Sequence, residues 1–91
     1  MVDVEFVRSF AGADPGADDA LLTACMEAAM DWYENAGVPK STTGSLYEYW
    51  VANLAAWMYD NRGNAEALAE IPGYILHSVH QLRTYDDEVT T

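Results

Sequence analysis

An all-α domain of about four helices is the fold this sequence predicts: a short N-terminal helix, two long central ones and a C-terminal helix. Three observations point there. Apolar residues recur at i, i+3, i+4 and i+7 rather than in alternation. Glycine and proline punctuate the chain into four helical pieces. The 91 residues, 51% of them hydrophobic and 12% aromatic, suffice for one domain with a core of its own.

The first helix takes Asp3 as its N-cap, carries Val4, Phe6, Val7 and Phe10 on one face, and closes at Gly12. Ala13-Asp14-Pro15-Gly16 is turn chemistry. Asp18 is placed to cap the second helix, which runs to about Ala36 before Gly37 and Pro39 stop it. Its core face reads Leu22, Cys25, Met26, Ala29, Trp32, Tyr33 and Ala36. Residues 40–45 form a polar connector. The third helix, Leu46 to Asn61, ends at Arg62-Gly63. Asn64 would cap a short turn reaching Ala69, and Pro72 suits the first turn of a last helix carrying Ile75, Val79 and Leu82. The domain is expected over residues 1–85, with 86–91 an acidic, fraying tail.

The third helix is apolar nearly all round. Leu46, Trp50, Val51, Leu54, Trp57 and Met58 make one face; Tyr49, Ala52, Ala56 and Tyr59 lie on the other. A helix of that kind is covered on both sides. Either the domain itself covers it, as for an ordinary central core helix, or a second subunit does. In the second case Tyr49, Ala52, Ala56 and Tyr59 form the subunit interface.

Fifteen acidic residues against four basic ones leave a net charge of −11. That balance excludes a phosphate-gripping nucleic-acid binder and attraction to anionic lipid. Every apolar stretch is broken by charge before membrane-spanning length, and no basic segment followed by an apolar run opens the chain. Much of the charge gathers on one side of the second helix, where Asp19, Glu27, Asp31 and Glu34 share a face. No basic residue lies between Asp18 and Glu34 to relieve it from within the helix. The face either points to solvent or sets a negative field against a partner or a channel.

Catalytic and metal chemistry find little footing. His77 and His80 stand at i, i+3, yet zinc takes three or four ligands and no Cys pair or His-Glu-x-x-His pattern accompanies them. Asp14, Asp18 and Asp19 lack the order of a calcium loop. Cys25, the lone cysteine, lies on an apolar helix face and cannot form an intrachain disulfide, which fits a reducing compartment. No Gly-x-Ser-x-Gly elbow is present, and the Gly12 to Gly16 stretch lacks the lysine of a phosphate loop. No cofactor and no enzymatic activity are expected.

Three stretches carry a resemblance. Val4-Glu5-Phe6-Val7-Arg8-Ser9-Phe10 leads through a loop into Asp18-Asp19-Ala20-Leu21-Leu22; the second helix exits through Trp32-Tyr33-Glu34-Asn35-Ala36-Gly37-Val38-Pro39; and the third ends in Ala55-Ala56-Trp57-Met58-Tyr59-Asp60-Asn61-Arg62. In this order the landmarks resemble the small head–tail connector proteins of long-tailed bacteriophages, a family also described as head-completion or DNA-packaging proteins. The chain departs from that pattern at Thr43-Gly44-Ser45, where many members place a proline-led apolar segment. The resemblance implies a structural protein of the virion head–tail junction, made in the bacterial cytoplasm. It would form a ring, commonly twelvefold, between the portal protein and a tail-side protein, and DNA would pass through without specific binding. A negative lumen lined by Asp19, Glu27, Asp31 and Glu34 would let DNA slide. The alternative is an acidic interaction module or DNA mimic that occupies a basic nucleic-acid-binding partner.

Overall fold

The structure, a computed structural model, describes residues 3–13, 18–62, 64 and 70–90, with side chains to residue 83. Four helices make up the fold: α1 (Val4–Ala11), α2 (Asp19–Asn35), α3 (Ser45–Asp60) and α4 (Gly73–Thr90). No strand occurs among the described residues. The all-α expectation is met, and the predicted boundaries of the first three helices fall within a residue or so. The turn expected from Asn64 to Ala69 lies largely outside the described residues.

Each helix end has a local cause. Asp3 accepts a hydrogen bond from the Phe6 amide (2.9 Å), the N-cap the sequence predicts. Gly12, at φ 68°, returns its N–H to the Arg8 carbonyl and closes α1 in the left-handed conformation that glycine adopts without strain. At the end of α2, Val38 N–H bonds Tyr33 O (2.8 Å) and Gly37 N–H bonds Glu34 O (3.1 Å). This double closure is a Schellman motif, with Val38 buried as its apolar clasp. Gly37 has φ +101°, a conformation that favours glycine, and a Cβ there would come within 3.3 Å of Arg83 Nε and push that side chain aside. Pro72 begins α4 through its carbonyl, which accepts from the Ile75 and Leu76 amides.

One expectation is corrected. Asp18 precedes α2 at φ 54° and makes no side-chain cap. Its carboxylate instead accepts from Tyr59 Oη (2.6 Å), tying the start of α2 to the end of α3. The helix α4 runs through Thr90, so the acidic residues expected as a fraying tail continue it. No glycine or proline follows Gly73, so the backbone has nothing to stop it.

The core explains why α3 is apolar all round. That helix packs on α1, α2 and α4 alike. Val51, Ala52, Leu54 and Ala55 are fully buried on it, beside Val7 of α1, Leu22, Ala29 and Tyr33 of α2, and Ile75 and Leu82 of α4. One buried hydrogen bond crosses this core: Tyr33 Oη and Ser78 Oγ lie 2.6 Å apart. Ser78 spends its own proton on the Ile75 carbonyl. Tyr33 is therefore the donor, joining α2 to α4.

Candidate functional site: an exposed aromatic strip and an internally countered acidic face

Of the four residues expected at a subunit interface, three are core. Ala52 is fully buried, and Ala56 and Tyr59 are 8% and 9% exposed. The domain itself covers them, because α3 is the helix on which the other three pack. They offer no surface to a neighbour, which corrects the expectation for Ala52, Ala56 and Tyr59. Tyr49 alone of the set is exposed, at 46%.

Tyr49 belongs to a different surface. Ring centroids run in sequence from Phe6 to Phe10 (5.0 Å), Phe10 to Tyr49 (5.6 Å), Tyr49 to Trp50 (5.2 Å) and Trp50 to Tyr74 (6.4 Å). Five aromatic rings from α1, α3 and α4 thus form one strip. Phe6, Tyr49 and Tyr74 are 38%, 46% and 50% exposed, while Phe10 and Trp50 are half-buried and anchor it. Trp50 is fixed further by its indole N–H, which donates to Gln81 Oε1 (3.1 Å). Leu76 adds another exposed apolar side chain on α4. Rigid aromatic surface of this kind is enriched at protein interfaces, where tyrosine and tryptophan supply contact area at low entropic cost.

The strip was only partly legible in the sequence. Phe6 and Phe10 stand at i, i+4 and read as a core stripe, and Tyr49 reads as a flank to the alanines. That Tyr74 comes to lie against Trp50 depends on how α4 docks on α3.

The acidic face is where the sequence puts it. Asp19, Glu27, Asp31 and Glu34 are all exposed on α2. However, the face is countered from outside the helix. Arg8 of α1, 5% exposed, pairs with Asp19 and Glu5. Lys40, from the connector after α2, pairs with Asp31 and lies 4.0 Å from Glu34. The Asp19 and then the Glu5 hydrogen bonds push the Arg8 guanidinium further up, and Asp31 does the same for the Lys40 ammonium. Arg62 is engaged as well. Arg62 bonds Tyr59 O (2.7 Å) and sits 4.3 Å over the Tyr59 ring, and Arg83 lies beside Gly37. Arg8, Lys40 and Arg62 are thus held against the chain itself.

Residues that could do chemistry are placed apart. Cys25 is buried, and desolvation pushes its thiol up, against the nearby Arg62 charge that pulls it down. His77 and His80 are exposed on α4. No three His, Cys, Asp or Glu side chains among the described residues come together as metal ligands would. No helix among those residues is long and apolar enough to cross a membrane.

One further place stands out. A cavity of about 310 Å³ opens under residues 40–44, walled by Met30 of α2 and by Tyr47 and Glu48 of α3. Tyr47 is 2% exposed, and its hydroxyl has no hydrogen-bond partner among the described residues. Burial, then the Glu34 charge, pushes that phenol up, so it stays a donor.

Comparison with known proteins returns no match: no protein-family model, no curated protein and no solved structure is similar to this chain.

Proposed function

We propose that this protein is a structural subunit that assembles with copies of itself into a ring, as a head–tail connector of a long-tailed bacteriophage between portal and tail-side proteins. The observation that carries the reading is the aromatic strip. Phe6, Tyr49 and Tyr74 expose apolar area from three helices on one continuous surface, in a domain too small to leave such area to water without cost. A heterologous contact made by such a strip closes into a ring when its rotation permits. The landmark order of the sequence supplies the connector assignment, and the all-α fold agrees with it.

The net charge of −11 supports passage of DNA rather than grip. Arg8, Lys40 and Arg62, three of the four basic side chains, are engaged within the chain, so the surface repels phosphate and DNA slides past it. The DNA-mimic alternative is less well supported. A mimic needs bare carboxylates at phosphate-like spacing, whereas Arg8 pairs with Asp19, and Lys40 pairs with Asp31 and lies 4.0 Å from Glu34. Sedimentation velocity with negative-stain imaging tests the proposal. Ring-shaped particles that disappear in a Tyr49→Asp, Tyr74→Asp variant support it; a monomer at every concentration refutes it.

A further inference from the structure

A second apolar feature lies away from the aromatic strip. Leu21, Ala24, Cys25 and Ala28 of α2, with Met58 of α3, line an open groove of about 370 Å³. Arg62, just past the end of α3, also lines it and is exposed. Ala24 and Ala28 are exposed and stand about one helical turn apart, so their short side chains leave the α2 backbone open to close approach. Leu21 and Met58 are half-buried and give the groove apolar wall.

The groove and the strip share no residue. Met58 follows Tyr49 by about two and a half turns, so the two side chains leave α3 on opposite sides. That placement matters for a ring. Strip against strip is an isologous contact, which closes as a dimer and goes no further. A ring needs a heterologous contact, in which one patch meets a different patch of the next copy.

The groove is also electrostatically suited to the strip. Arg62 is fixed by Tyr59, through its carbonyl and over its ring, and stands as a positive charge at the groove. A guanidinium attracts the face of an aromatic ring, and the strip exposes Tyr49 and Tyr74. These rings are neutral, so they escape the repulsion that carboxylates meet on a chain at −11.

We infer that the groove between α2 and α3 receives the aromatic strip of a second copy, with its tyrosine rings against Leu21, Ala24, Ala28 and Met58 and beside Arg62. The inference rests on the ring reading above and adds to it which two surfaces meet, head to tail.

Sedimentation velocity of the full chain tests this with two variants, separate and mixed. Ala24→Gln, Ala28→Gln fills the groove with neutral, helix-favouring side chains at exposed positions and should melt like the parent. If it melts lower, Ala28→Gln alone carries the same test. The groove variant should sediment as one chain, as should Tyr49→Asp, Tyr74→Asp, which spoils the strip. Mixed, they should form a particle of twice the 10.1 kDa chain mass and nothing heavier, because a single intact groove meets a single intact strip. The inference alone is overturned if the parent assembles and the groove variant assembles equally well, or if the mixed variants stay single chains. A parent that is monomeric at every concentration overturns the ring reading and this inference with it.

Discussion

Replacing Tyr33 by Phe removes one oxygen atom from the centre of the domain, and the structure sets what this costs. Tyr33 is fully buried, Ser78 is 1% exposed, and their oxygens lie 2.6 Å apart. Because the Ser78 proton goes to Ile75 O, only Tyr33 can donate, and the variant leaves Ser78 Oγ with an unmet acceptor site. A loss of about 1–2 kcal/mol is expected at pH 7, or roughly 5–10 °C in Tm for a domain this size. The pH dependence makes the test sharper. Burial pushes the Tyr33 phenol from 10 up to about 12, while the unfolded chain keeps the ordinary value. The folded state thus holds the proton more tightly. Its stabilising contribution is complete below pH 10 and is lost as pH rises from 10 towards 12. At pH 11 the parent has lost on the order of 1 kcal/mol by this route, and Tyr33→Phe has lost none of it. Tyr59, also pushed up, titrates in both proteins and leaves the difference unchanged. Urea unfolding followed by circular dichroism at pH 7 and pH 11 should therefore show the gap nearly closing. An equal gap at both pH values, or no gap at pH 7, would refute the reasoning.

Other substitutions separate buried from exposed roles. Tyr47→Phe, which removes an unpartnered hydroxyl, should leave thermal stability unchanged or raise it by up to about 1 kcal/mol in a melting experiment. Ala52→Glu places an unpaired carboxylate at a fully buried position and should cost more than about 4 kcal/mol, visible as loss of helical circular dichroism. Gly12→Ala meets open space, so its cost of about 1 kcal/mol in urea unfolding comes only from the positive φ.

What was legible in the sequence follows from how local each signal is. Asp3, Gly12, Gly37 and Pro72 act within a turn or two of chain, and the helices begin and end where they indicate. The two-sided apolarity of α3 was visible as well, but not its cause. Periodicity reports that both sides are covered, and only tertiary packing reports that α1, α2 and α4 cover them. For the same reason the acidic face looked bare. Arg8 is eleven positions from Asp19, and Lys40 belongs to a connector, so neither pair has helical spacing. Asp18 read as a cap because its residue type is right for one. Its carboxylate is taken by Tyr59, forty-one positions along the chain. The aromatic strip draws on three helices and could not be read from any one of them.

Assembly through that strip is the central claim, and sedimentation velocity over a range of concentrations measures it most directly. The parent is expected to sediment as a species several times heavier than one 10.1 kDa chain. The Tyr49→Asp, Tyr74→Asp variant, altered only at half-exposed rings, should melt like the parent and sediment as one chain. A parent that remains a monomer, or a variant that assembles as well as the parent, would contradict the account.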